Sequence, residues 1–153
     1  MAVSYLKKAT KSSATGEDDT RATVARMLSE IEVGGEQVCT EYAAKLDGYH
    51  GNILVTSDDI DQATSRLSQQ VKDDIRFAHE RVDKFAQKQR QALIDFEVEL
   101  SPGLWAGQRQ IPVQTAGCYI PGGRYSHVAS AIMSVATAKA AGVKHVVACS
   151  PPK

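Results

Sequence analysis

The sequence predicts an α/β chain: a helical N-terminal segment over residues 1–94, then the opening of a βαβ sheet domain over 95–153. Three observations carry this. From about Asp18 to Leu93 apolar residues recur at helical spacing, and from about Phe96 onward they fall in short runs separated by Gly and Pro. The closing stretch from Ala116 to Lys153 reads as strand, Gly-Gly turn, small-residue helix and strand.

The elements follow in order. A first helix near Asp18–Val33 carries Val24, Met27, Leu28 and Ile31 on one face and stops at Gly34-Gly35. A second has Val38, Tyr42 and Leu46 in register and ends at Gly48, placed as a left-handed C-terminal glycine. Thr56 with Asp59 three residues on is a capping box opening "IDQATSRL". The longest helix spaces Val71, Ile75, Ala78, Val82, Phe85, Gln89 and Ala92 in alternating steps of four and three. Such a seam packs on a neighbouring helix or a second subunit. "DFEVEL" then turns Phe96, Val98 and Leu100 inward, "SPG" reverses the chain, and "LWAGQRQIPV" and "QTAGCYI" supply two more extended runs.

In the last unit the helix from about Ser126 to Ala141 is almost wholly Ala, Val, Ile, Met, Ser and Thr, so it should be buried, with Gly142 as its stop. Ser126 reads as its N-cap rather than as a nucleophile, since no adjacent base is identifiable. "KHVVACS" is a short β-branched run of the kind found inside parallel sheets.

Composition narrows the function classes. Eighteen basic and eighteen acidic side chains give a formal net charge of zero, so no net field draws in nucleic acid or an anionic membrane. The N-terminal stretch has no apolar signal core and no segment approaches a membrane span, which makes the cytoplasm the expected location. Cys39, Cys118 and Cys149 are widely separated and fit reduced structural thiols. His50, His79, His127 and His145 show no paired metal-ligand spacing. The Gly122-Gly123 turn before a helix points backbone N–H groups and the positive helix end at one spot, a cradle for phosphate or another anion. Its pattern is neither GxGxxG nor a P-loop.

"GCYIPGG" followed by the small-residue helix and "AKAAGVKHVVACSPP", together with "IEVGGEQVCTEYAAKLDG" and "WAGQRQIPVQTAG" upstream, resembles the histidinol dehydrogenase family over nearly the whole chain. The resemblance implies a Rossmann-like sheet domain. It also implies an NAD-dependent, zinc-containing enzyme that oxidises a primary alcohol through an aldehyde to a carboxylate, and a homodimer when full length. It implies that Tyr119 contacts NAD, with Gly122 and Gly123 in the same block. The family's zinc ligands and catalytic Glu-His pair lie beyond "SPP", so the chain is expected to be an N-terminal piece with no catalytic or metal residue of its own. After the double glycine, relatives carry small, apolar or proline residues, whereas this chain has Arg124, Tyr125, Ser126 and His127. That block is more similar to the sulfopropanediol dehydrogenase branch, which oxidises 2,3-dihydroxypropane-1-sulfonate to sulfolactate, and it nominates Arg124 and His127 for an anionic substrate. The alternatives are oxidation of L-histidinol to L-histidine, and a non-catalytic fragment or helical interaction module.

Overall fold

The structure is a computed structural model, and it describes residues 15–122 and 125–152. The chain divides into two compact units, 1–54 and 55–153. The first is built on α1 (Thr15–Asp47), which breaks at Gly35, where φ is 61° and ψ is −143°. A side chain is strained in that conformation, so the helix breaks where the sequence places a glycine pair. Its two limbs fold back on each other. The Tyr42 hydroxyl donates to the Glu30 carboxylate, and Arg26 Nη1 donates to Glu30 Oε1 at 2.8 Å and to the Tyr42 hydroxyl at 3.3 Å. In a straight helix, residues twelve apart would be roughly 18 Å from each other. At the end of α1 the N–H groups of Gly48 and Tyr49 return to the carbonyls of Ala44 and Ala43, both at 3.1 Å, so Gly48 caps the helix as expected.

The second unit opens with α2 (Ser57–Ser65), entered through the expected capping box. The Thr56 side chain accepts from the Asp59 N–H at 3.2 Å while the Asp59 carboxylate accepts from the Thr56 N–H at 2.9 Å. In α3 (Gln69–Ala92), Ser68 caps the first turn by accepting from the Val71 N–H.

α3 packs against α4 (Val128–Ala140). Its protected positions are Lys72, Ile75, Ala78, Val82, Asp83, Ala86 and Arg90, with Ala86 only 6% exposed. The expected seam therefore holds only from Ile75 to Val82: Val71 before it is 41% exposed, Phe85 after it is 67% exposed, and Gln89 and Ala92 are exposed too. A repeat of 3.5 residues requires a long partner that supercoils with the helix. α4 has 13 residues against 24 in α3, and the line Ala78, Val82, Ala86 and Arg90 follows a ridge of every fourth residue, as in crossed helices.

β1 (Phe96–Ser101) and β2 (Leu104–Gln108) form an antiparallel hairpin with Val98 opposite Ala106, turned at Pro102-Gly103. Gly103 has φ 82°. The base is pinned where the Gln110 N–H donates to Asp95 Oδ1 at 2.8 Å and Gln108 Nε2 donates to the Ile94 carbonyl at 3.0 Å. Phe96 and Val98 share a face, as alternation requires, and the pairing is irregular at Leu100, between Glu99 and Ser101. Phe96, Val98 and Leu100 are not inward: all three are exposed, since no layer of the described residues covers the hairpin.

β3 (Thr115–Tyr119) and β4 (His145–Cys149) run parallel in register from Thr115 opposite His145 to Tyr119 opposite Cys149, and α4 connects them. This is the expected βαβ unit. The core of the described residues lies here and under α3: Ala86, Cys118, Ala136, Ala140 and Val143. α4 is only half covered. Ala136 and Ala140 are buried between α3 and the strand pair, whereas Met133 is 59% exposed, so a helix without a polar face does not become a buried helix when its neighbours leave part of it uncovered. It ends at Gly142, φ 89°, with the Val143 N–H donating to the Ala138 carbonyl and the Gly142 N–H to the Lys139 carbonyl. This paired return is the usual glycine-terminated helix end, and it tucks Val143 into the core. Among the described residues no helix is long and apolar enough to cross a membrane.

Candidate functional site

The candidate site is built where β3 and β4 end. In open sheets with parallel strands, ligands bind beyond the carboxyl ends of the strands, beside the N-termini of the connecting helices. The strand pair is extended one step past Tyr119, where the Ile120 N–H donates to the Cys149 carbonyl at 2.8 Å. Successive strand residues face opposite sides. Cys118 is accordingly buried at 6%, while Tyr119 stands on the other face and is 64% exposed. Its ring is available for stacking.

Gly122 follows at the turn and is half-buried. A β-carbon there would lie 2.9 Å from Pro151 Cγ. Glycine is thus required for the close approach of the segments leaving β3 and β4, and Gly122 shapes the mouth of the site. Gly123 and Arg124 lie outside the described residues.

His127 is the N-cap residue of α4, in place of the expected Ser126, with φ −87° and no side-chain capping bond. The first helical return is the Ala131 N–H to the His127 carbonyl, at 3.2 Å. The N–H groups of the first turn therefore carry no side-chain cap and lie at the positive end of the helix dipole, where an anion is favoured. Tyr125 is 73% exposed on the same connection. It was not among the site residues expected from the sequence, and its signal was its place two residues after the double glycine. The structure thus sets Tyr119, Gly122, Tyr125 and His127 along one continuous stretch from the end of β3 to the start of α4.

These features fit one side of a dinucleotide: an aromatic face, a close backbone turn and an uncapped helix start. Zinc is different. Among the described residues no three His, Cys, Asp or Glu side chains come together as a metal site, so these residues by themselves do not fit the ion.

A separate groove of about 580 Å³ lies within the bend of α1, lined by Arg26, Glu30, Val33, Val38, Tyr42 and Lys45 among others. Arg26, Glu30 and Tyr42 bond to one another across it. The hydrogen bonds from Tyr42 and then Arg26 hold the Glu30 carboxyl below its ordinary value, and the same bond to Glu30 raises Tyr42. This reads as a brace between the two limbs.

Comparison with known proteins bears on the chemistry. The model of the histidinol dehydrogenase family matches residues 10–153. The chain belongs to the histidinol dehydrogenase family. Among its relatives it is 51% identical over 153 residues to sulfopropanediol 3-dehydrogenase of Ruegeria pomeroyi, covering all of this chain and 35% of that protein. It is 54% identical to a histidinol dehydrogenase homolog of Pelagibacter ubique, covering 36% of it, and 36% identical over 131 residues to histidinol dehydrogenase of Methanococcus maripaludis, covering 31%. The chain thus spans about a third of the length of these curated relatives. The crystal structure of histidinol dehydrogenase from Elizabethkingia anophelis matches 97% of this chain and 32% of its own, with a TM-score of 0.75 at 23% identity, which shows a common fold.

Proposed function

We propose that this chain forms part of an NAD-dependent dehydrogenase that oxidises the primary alcohol of 2,3-dihydroxypropane-1-sulfonate through an aldehyde to the carboxylate of sulfolactate. The observation that carries the choice of substrate is the 51% identity, over the whole chain, to a protein named sulfopropanediol 3-dehydrogenase, against 36% and 34% to the histidinol dehydrogenases of two archaea. The block Arg124-Tyr125-Ser126-His127 supports it, because a permanent cation and an imidazole beside a helix N-terminus suit a sulfonate better than the cationic end of histidinol. NAD, when bound, supplies the hydride acceptor for both two-electron steps.

The chain's own residues bind and orient. The Tyr119 ring stacks on the cofactor, the first-turn N–H groups of α4 receive its phosphate charge, and the Gly122 turn keeps that approach open. Arg124 and His127 hold the sulfonate. Zinc is expected from the family, and no step is assigned to it here because the described residues do not compose its site. A cytoplasmic enzyme with a diffusible small-molecule substrate fits this reading.

The test is steady-state kinetics on the full-length protein with sulfopropanediol and with histidinol. The sulfonate should have the higher kcat/KM, and Arg124→Ala should lower it by roughly ten- to a hundredfold while leaving the KM for NAD nearly unchanged. Tyr119→Ala should raise the KM for NAD and preserve the order of the two alcohols. Equal losses on both alcohols in Arg124→Ala defeat the anion-recognition role, and preferred turnover of histidinol returns the protein to the histidine-forming reaction.

A further inference from the structure

We draw no further inference here: the strongest candidate, the groove within the bend of α1 beside Val33, Val38 and Lys45, has the bonds among Arg26, Glu30 and Tyr42 accounted for as a brace between the two limbs, and nothing in the structure shows what would cover the rest.

Discussion

Gly122→Ala probes the link between the fold and the candidate site, and its magnitude follows from the coordinates. The new methyl would sit 2.9 Å from Pro151 Cγ and 3.1 Å from both Cβ and Cδ. Carbon atoms pack best at about 3.5–4.0 Å, so all three contacts are too short. The obstacle is a pyrrolidine ring with its backbone φ fixed, which cannot swing aside as a lysine tip would. The backbone leaving β3 or β4 must move instead. Overpacking of this kind costs about 1–3 kcal/mol, of which the lost freedom of glycine in the unfolded chain offsets about 0.4–1 kcal/mol, leaving a net destabilisation of up to about 2.6 kcal/mol. Urea denaturation of the full-length protein measures it. The decisive comparison is Pro151→Gly, which removes all three contacted atoms: Gly122→Ala should cost less in that background, with a coupling above about 0.5 kcal/mol. Additive effects would mean that the two segments do not meet and would refute the reasoning. NAD titration of the same variants supplies a second readout, because displacing Gly122 displaces the approach to α4. Lost stability with unchanged NAD affinity would confine Gly122 to a structural role.

Three further outcomes are expected. Thr56→Ala should destabilise by about 1 kcal/mol in thermal or urea unfolding, since it removes the acceptor for the Asp59 N–H, whereas Thr56→Ser should cost much less. The bonds from the Thr56 hydroxyl and then its backbone N–H hold the Asp59 carboxyl below its ordinary value, so its contribution is present above the unfolded carboxylate pKa and is lost as pH falls through the lowered folded value. The difference in melting temperature between wild type and Asp59→Ala should therefore shrink from about pH 7 to about pH 3, and a constant difference would contradict the charged cap. Ala86→Leu should cost about 1–3 kcal/mol by overpacking against α4, while Gln89→Leu, at a seam position chosen by heptad spacing, should stay within about 0.5 kcal/mol. The reverse ranking would restore the heptad seam.

The sequence by itself determined the features that depend on neighbours a few residues away. The break of α1 at Gly35, the Thr56 capping box, the Pro102-Gly103 turn and the stop at Gly142 are all local matters of φ, missing side chains and short-range hydrogen bonds. The family was legible from the blocks around "YIPGG", and the structure places Tyr119 at the exposed end of β3. Only the tertiary structure decided which face of α3 is packed. Periodicity shows that apolar positions align but not how long the partner is or at what angle it crosses, and α4 is short enough to leave Phe85 in water. The same holds for α4, whose apolar composition could not say that α3 and the strand pair leave Met133 uncovered, and for β1, whose apolar residues nothing described here covers. Gly122 is the clearest case. Read along the chain it is one half of a ligand-cradling pair, and only the parallel pairing of β3 with β4 brings Pro151 against it, because that contact joins segments that meet only once the sheet has formed.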